Sequence, residues 1–360
     1  MNHLSERVTG RVRGRGTGAN PATRFDAHDR AAVDDGWGHE DDLPPRRTEL
    51  RDERSRSIIA RNTSPDIGFD RSINPYRGCE HGCIYCYARP SHAYLGLSPG
   101  LDFETRLTAR PDAAAVLERE LRAPRYVPAP IALGTATDPY QPVERDRRIT
   151  RDVLEVLQRF RHPVTVATKG TLVTRDADIL GEMSGAGLAR VGVSLTTLDA
   201  GLARRMEPRV PAPAARLRSI EALARAGAVV RVMVSPVVPG LTDHEIEAVL
   251  TAARDVGAVA ASWIMLRLPY EVAGLFEGWL DTHAPGRRDK VMARLCEMHG
   301  GRSYSAEWGK RMRGEGPHAR LISQRFEMAR ARLGLGYRLE PLRCDLFEVP
   351  LAQGAQLSLF

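Results

Sequence analysis

Short apolar runs rich in β-branched residues alternate with longer amphipathic stretches between Ile58 and about residue 270. Runs of this length predict buried strands, and the amphipathic stretches predict helices. Since strands and helices alternate along the chain, the pattern predicts an α/β fold with a parallel sheet. The predicted strands span residues 68–74, 130–134, 164–168, 190–194, 229–235 and 261–266, and the predicted helices span 113–121, 151–160, 175–186, 213–226 and 243–255.

The pattern changes on both sides of this core, which we assign to residues 55–270. Residues 1–50 have few large apolar side chains, an arginine–glycine segment and an acidic run, which together predict a disordered tail. Residues 271–345 are mostly helical in periodicity, with breaks at Pro285 and 314–317. This extension either closes one side of the core or grips a polyanion. Residues 346–360 are expected to form a flexible tail.

Three cysteines lie within the segment NPYRGCEHGCIYCY, residues 74–87. Cys79, Cys83 and Cys86 have the spacing C-x3-C-x2-C, and three thiolates leave one iron of a [4Fe–4S] cluster open to another ligand. A zinc site is an alternative, but it needs four ligands and the loop offers only His81 as the fourth. A disulfide with one free thiol is typical of small secreted chains.

This segment resembles the signature of the radical S-adenosylmethionine (SAM) superfamily. The resemblance implies a [4Fe–4S] cluster whose open iron binds S-adenosylmethionine. It implies reductive cleavage of that cofactor and abstraction of a hydrogen atom from a substrate, with a reductant such as flavodoxin or ferredoxin. The fold that it implies is an open, partial (βα)6 barrel, similar to part of a TIM barrel.

Polar residues follow several predicted strands, where barrel enzymes collect their chemistry. Thr137, Asp138 and Tyr140 follow the second strand, and we take Asp138 and Tyr140 as candidate catalytic residues. Lys169 follows the third strand and Ser194 ends the fourth. The alternatives are an ordinary polar loop and a surface lysine.

Within the superfamily, residues 55–270 resemble the branch of spore photoproduct lyase and proteins labelled DNA-repair photolyases. This resemblance implies that Tyr87 takes part in radical transfer. Where the lyase has a hydrogen-donating cysteine, this chain has Thr135, whose O–H bond is too strong for that role. Direct repair of spore photoproduct is therefore not expected unless a tyrosine replaces the thiol. The residues that the resemblance places against S-adenosylmethionine are Tyr85, Thr137, Lys169 and Ser194.

The chain has 52 Lys and Arg against 45 Asp and Glu, a formal net charge of +7. Most of the positive charge is arginine in a chain rich in alanine and glycine, so it supports nucleic-acid binding only weakly. No apolar run approaches the ~20 residues of a membrane span. We therefore expect a cytoplasmic protein with no membrane partner.

The final residues of the sequence form a separate motif, QLSLF. Gln356, Leu357, Leu359 and Phe360 resemble the pentapeptide by which bacterial repair proteins dock on the polymerase sliding clamp. The apolar side chains would anchor in a pocket and the glutamine would fix their orientation. The alternative is a tail that folds back on its own domain.

Three functions follow from these patterns. The first is a radical SAM enzyme with a lyase-like action on nucleic acid, plausible for damaged DNA. The second keeps the radical chemistry but acts on a protein or a small metabolite, because a fold does not fix a substrate. The third is a non-catalytic iron–sulfur redox sensor or sliding-clamp adaptor.

Overall fold

The computed structural model describes residues 14–26 and 47–351, and these residues form two β-sheets with helices around them. The larger sheet of these residues has the strand order β10–β9–β8–β7–β6–β3–β2, and its neighbours run parallel except for β2 and β3. Its parallel strands are neighbours in the order in which they follow along the chain. The strands are β1 (Glu49–Asp52), β2 (Ala60–Arg61), β3 (Arg71–Ile73), β4 (Tyr76–Arg77), β5 (Arg106–Ala109), β6 (Ile131–Leu133), β7 (Val164–Thr168), β8 (Ala189–Ser194), β9 (Val230–Val237) and β10 (Ala260–Met265).

Helices connect each parallel strand to the next, which confirms the predicted α/β fold of six βα units. The helices of the described residues are α1 (Asp102–Thr105), α2 (Ala113–Leu121), α3 (Glu144–Arg147), α4 (Ile149–Arg159), α5 (Ala177–Gly185), α6 (Ala200–Met206), α7 (Pro213–Arg225), α8 (Ile246–Asp255), α9 (Val272–His283), α10 (Arg288–Met298) and α11 (Gly316–Arg332). The crossovers contain α2, α4, α5, α7 and α8, close to their predicted bounds.

One row of apolar residues crosses five strands of the larger sheet. Ile73, Leu133, Val166, Val191 and Val230 are successive register partners. All five are buried. A parallel sheet is covered by helices, so its strands are apolar on both faces and read as continuous apolar runs in the sequence. This is why the strand predictions agree well with the structure.

A small second sheet supports the segment before the first cysteine. β1 pairs in parallel with β5, and β5 pairs antiparallel with β4. The register places Tyr76 opposite Ala109, and both are fully buried. These strands have two to four residues, too few to show a periodic pattern, and the sequence analysis missed them.

The helices after β10 include one that packs against the edge of the larger sheet. Phe326 of α11 packs on Trp263 of β10, with ring centroids 6.1 Å apart. The N–H of Ala261 donates to the carbonyl of Gly336 at 3.1 Å. The edge strand of the sheet is therefore covered by α11 and the residues that follow it, which protects its unpaired backbone groups.

Both predicted tails are partly ordered. Residues 14–26 form hydrogen bonds with Leu101 and Glu104, so the expected disorder does not apply to them. Phe347 packs against Tyr126, Phe160 and His162 with ring centroids 5.5–6.3 Å apart, inside the stretch expected to be flexible. The acidic run and the QLSLF motif lie outside the described residues.

None of the helices in the described part of the chain combines the length and the apolar character that crossing a membrane requires.

Candidate active site

The cysteine loop follows β4 and is held by backbone hydrogen bonds to two other segments. The N–H of Cys79 donates to the carbonyl of Phe103 at 2.9 Å, and the N–H of Ile84 donates to that of Met206 at 3.0 Å. Gly82 has φ +65°, and a Cβ on it would lie 2.6 Å from a carboxylate oxygen of Glu104. Only glycine fits this position, so Gly82 restricts the backbone conformation of the loop between Cys79 and Cys83.

The three thiols of the loop are free of disulfides. Cys79 and Cys83 are buried, and Cys86 packs against the apolar groups around both of them. Burial raises the pKa of the Cys83 thiol, and the Glu207 carboxylate raises it further. Binding of iron would therefore release a proton from the Cys83 thiol.

The donor set fits the cluster that the sequence predicts. Three thiols on one short loop match a [4Fe–4S] cluster with one open iron. The described residues contain no group of three His, Cys, Asp or Glu side chains tight enough for a single metal ion, as zinc would need. The ligands of a four-iron cluster bind separate irons, so they do not have to converge on one atom.

Asp138 joins the ends of two strands to the cysteine loop. Its carboxylate accepts hydrogen bonds from the Thr168 hydroxyl at 2.6 Å and the Lys169 N–H at 2.7 Å, and Nδ1 of His81 lies 3.3 Å away. Burial acts to lower the pKa of His81, but the charges of Asp138 and Cys79 outweigh it and raise the pKa to about 10. Asp138 therefore holds the ends of two strands and the cysteine loop together.

Lys169 and Ser194, two of the predicted cofactor residues, are in direct contact. The ammonium group of Lys169 donates to the Ser194 hydroxyl at 2.6 Å and to the carbonyl of Ser235 at 3.1 Å. It also lies 6.0 Å from the centroid of the Tyr85 ring. The carboxyl ends of three adjacent strands and the cysteine loop therefore meet at one place, as the sequence predicts for Tyr85, Lys169 and Ser194.

A buried ion pair next to this group escaped the sequence analysis. Glu207 pairs with Arg216 at 2.7 Å, and both side chains are at most 1% exposed. The same carboxylate accepts hydrogen bonds from the hydroxyls of Thr196 and Tyr85. Burial alone would raise the pKa of Glu207, but Arg216 and Lys169 outweigh it and lower the pKa. Arg216 is one of many arginines, so no local sequence signal marks it.

The other two residues predicted after the second strand have buried hydroxyls with partners outside this group. Thr137 is buried, and its hydroxyl donates to the carbonyl of Tyr76 at 3.1 Å. Tyr140 is buried in the barrel wall, where its hydroxyl donates to Asp176 at 3.0 Å. Burial and the Asp176 carboxylate raise the pKa of Tyr140 well above its ordinary value. This placement does not support Tyr140 as a hydrogen-atom donor.

Tyr87 bridges the loops that follow the first and last barrel strands. Its hydroxyl donates to the carbonyl of Thr135, and the guanidinium of Arg267 lies 4.1 Å from its ring centroid. Its side chain is 45% exposed. Tyr87 is thus the predicted catalytic residue that remains open to solvent.

A second arginine–aromatic group joins the same two loops, and we call it the rim cluster. The guanidinium of Arg24 lies 4.6, 5.2 and 4.4 Å from the ring centroids of Phe25, Tyr94 and Tyr270. Tyr94 follows the cysteine loop and Tyr270 follows β10. The three rings are 55%, 75% and 67% exposed, which is unusual for aromatic side chains gathered in one place.

Comparison with known proteins identifies the family of this chain. A family model described as the Radical SAM superfamily matches residues 73–253, half of the chain. An uncharacterized protein of Mycobacterium tuberculosis is 39% identical over 235 residues, which cover 65% of this chain and 68% of that protein. An uncharacterized protein of Methanocaldococcus jannaschii is 27% identical over 173 residues, 48% of this chain and 62% of that protein.

Among solved structures, spore photoproduct lyase complexed with dinucleoside spore photoproduct is similar in fold. The TM-score is 0.55 over 79% of this chain and 80% of that chain, at 15% identity. A variant of the lyase with bound AdoMet and the same dinucleoside gives 0.54 over the same shares, also at 15% identity. The chain belongs to the radical SAM superfamily of enzymes, which use a [4Fe–4S] cluster and S-adenosylmethionine.

Proposed function

We propose that this protein is a radical SAM enzyme that abstracts a hydrogen atom from nucleic acid, in a lyase-like repair of damaged DNA. When bound, the cluster and S-adenosylmethionine supply the hydrogen-abstracting radical. Cys79, Cys83 and Cys86 would ligate the cluster. Everything else in the reaction depends on how the chain binds, orients and shields the two reacting partners.

The proposed cofactor contacts come from residues that the fold gathers beside the cysteine loop. Lys169 and Ser194 present an ammonium and a hydroxyl at the carboxyl ends of β7 and β8. Such groups suit the carboxylate and hydroxyls of S-adenosylmethionine. Tyr85 presents a ring that suits the adenine, and its hydroxyl is held by Glu207. Thr137 remains a proposed contact on the neighbouring strand.

The proposal of a nucleic-acid substrate rests on the rim cluster. The stack of Tyr87 and Arg267, which lies on the same two loops, adds to it. Exposed aromatic rings beside arginines are typical of surfaces that bind single-stranded or flipped bases, because rings stack on bases and guanidinium groups meet phosphates. The net charge of +7 adds only weak support for the same partner. The fold neighbour is a lyase complexed with a dinucleoside photoproduct, which supports a similar substrate class.

Tyr87 is the proposed hydrogen-atom relay in place of the missing thiol. Its phenolic O–H faces the carbonyl of Thr135, the residue at the position of the lyase cysteine. A phenol gives up a hydrogen atom more readily than the hydroxyl of a threonine does. Asp138 is proposed to act by holding strand ends together. Tyr140 is proposed to act by stabilising the barrel wall through its bond to Asp176.

The first test uses anaerobically purified protein with a reconstituted cluster. Iron, sulfide and 5′-deoxyadenosine are measured under dithionite, with and without ultraviolet-damaged DNA. We expect cleavage of S-adenosylmethionine that depends on Cys83, so that Cys83→Ala forms none, and stimulation by damaged DNA. No stimulation by any nucleic acid would reject the proposed substrate class while leaving the radical chemistry in place.

The second part of this test addresses the rim cluster directly. Tyr94→Ala and Tyr270→Ala should each remove about 1–3 kcal/mol of stacking energy per base, a loss of roughly five-fold or more in DNA affinity. Tyr337→Ala is the matched control, because an arginine, Arg330, also faces the Tyr337 ring. Tyr337 follows Gly336, which pairs with the first residue of β10, whereas Tyr270 of the rim cluster lies after the last residue of that strand. Equal affinity for DNA in all three variants would contradict the proposal.

A further inference from the structure

Residues 14–26, which we call the N-terminal strap, lie along the segment that ends in α1. The N–H of Leu101 donates to the carbonyl of Ala19 at 2.9 Å. Asn20 and Asp102 exchange two hydrogen bonds of 3.0 Å, one from each residue. At its far end the strap reaches the residues after β10, where Arg24 pairs with Glu271 at 3.4 Å. The strap therefore connects the first and last loops of the barrel.

Close backbone contacts fix the strap on the cysteine loop. A Cβ on Gly16 would lie 1.8 Å from the carbonyl oxygen of Gly82, the residue before Cys83. A Cβ on Gly100 would lie 2.0 Å from the carbonyl oxygen of Ala19. Both distances are far below van der Waals contact. The strap and its partners therefore approach so closely that only glycine fits at these two positions.

A buried ion pair links the strap to the peptide group of Cys83. The N–H of Gly16 donates to one carboxylate oxygen of Glu104 at 2.9 Å, and Arg89 donates to the other at 2.6 Å. Arg89 also donates to the carbonyl of Cys83 at 3.0 Å. Arg15 adds a hydrogen bond of 2.8 Å to the backbone carbonyl of Glu104.

This series of contacts couples the strap to the cysteine loop. Arg89 and Glu104 are fully buried, and a buried ion pair is stable only when its remaining hydrogen-bonding groups also find partners. The strap supplies the partner for the second oxygen of Glu104. Displacing the strap would leave that oxygen unsatisfied and would weaken the support of the Cys83 peptide.

We propose that the N-terminal strap is a positioning element of the cluster site. It holds Gly82 by direct contact and the Cys83 peptide through Glu104 and Arg89, and it covers this side of the loop against water and oxygen. The residues around metal ligands set how strongly a metal group is held. This role belongs to the cluster and does not depend on which substrate the enzyme takes.

Two strap variants and one matched control test the proposal. Gly16→Ala introduces the clash with Gly82, and Arg15→Ala removes a donor to Glu104 with no clash. Both should hasten loss of cluster absorbance in air by roughly ten-fold and alter the electron paramagnetic resonance signal of the reduced cluster. Gly68→Ala is the control, because a Cβ there meets nothing within 4 Å. Unchanged decay and an unchanged signal in both strap variants would overturn the proposal.

A measurement on the unaltered protein avoids any dependence on how the variants fold. Trypsin cleaves after Arg15 and Arg24, so docking of the strap slows cleavage at both. We expect cleavage at Arg15 to become roughly ten-fold faster when the cluster is removed, because the loop beneath the strap loses its ligated geometry. Equal cleavage rates with and without the cluster would show that the strap and the cluster are not coupled.

Discussion

At the scale of single residues, three buried titratable groups have well-defined partners. Asp138 accepts hydrogen bonds from Thr168 and Lys169, and Glu207 is paired with Arg216. His162 is fully buried as well, with its Nε2 2.7 Å from the Tyr126 hydroxyl and its Nδ1 3.0 Å from the carbonyl of Pro163. These contacts suit a neutral imidazole that donates through Nδ1 and accepts through Nε2.

His162 makes the folded protein sensitive to acid. Burial lowers its pKa from 6.5 to about 4, so the unfolded chain binds the proton more readily. Its contribution is fully present above pH 6.5 and is lost as the pH falls toward 4. We expect the free energy of unfolding in urea to fall by about 2–3 kcal/mol from this residue between about pH 7.5 and about pH 4.5.

The matched comparison uses His162→Asn and His244→Asn. His162→Asn should lower stability at neutral pH but flatten the loss between the two pH values. His244 is exposed, so its substitution should leave that loss unchanged. The same pH dependence in His162→Asn and the unaltered protein would show that another group causes the sensitivity.

At the scale of elements, the C-terminal helices complete the barrel in two different ways. α9 and α10 bury Phe276, Trp279 and Leu295 in the apolar cluster that contains Cys83 and Tyr85. α11 instead covers the edge strand β10. One pair of helices therefore packs beside the cysteine loop, and the third helix protects the sheet.

Phe326 tests the contribution of α11. The side chain is fully buried, and Phe326→Ala should lower the free energy of unfolding by about 3–5 kcal/mol through lost burial and a cavity. Met328 lies on the same helix but is 66% exposed, so Met328→Ala should stay within about 0.5 kcal/mol. Denaturant unfolding of the three proteins measures both effects. A loss of under about 1 kcal/mol for Phe326→Ala would mean that α11 is not firmly packed.

At the scale of the whole molecule, one end of the sheet holds the proposed cofactor contacts and the proposed recognition surface together. The cysteine loop, Lys169, Ser194 and Tyr87 follow or end strands at that end, and so do Tyr94 and Tyr270 of the rim cluster. The proposed partner of the QLSLF motif would bring the enzyme to replicating or repaired DNA. Clamp binding remains a prediction from the sequence.

The clamp prediction concerns residues 356–360. Purified protein should bind a bacterial sliding clamp, and the double variant Leu359→Ala, Phe360→Ala should weaken binding by roughly ten-fold or more because it removes the apolar anchors. Gln353→Ala, just outside the motif, is the control. Calorimetric titration measures all three, and clamp affinity that is absent or equal in each would refute the prediction.

The sequence by itself determined the parts of this protein whose signals are local. The six parallel strands are apolar runs because both faces of the sheet are buried, and β7 was predicted without error in its bounds. The cysteine motif lies within eight residues, so its spacing alone points to the cluster. Lys169 and Ser194 could be expected to lie close together because the carboxyl ends of parallel strands meet at one edge, and their side chains are in contact.

Only the tertiary structure decided which distant residues meet. Gly16 and Glu104 are 88 positions apart, and their contact depends on how the strap crosses the barrel. Arg216 looks like any other arginine until α7 places it beside Glu207, and the contact of Tyr140 with Asp176 joins residues 36 positions apart. A sequence records the chemistry of each side chain and the local periodicity of apolar residues. Burial, and pairing between residues far apart in the sequence, arise only when the chain packs.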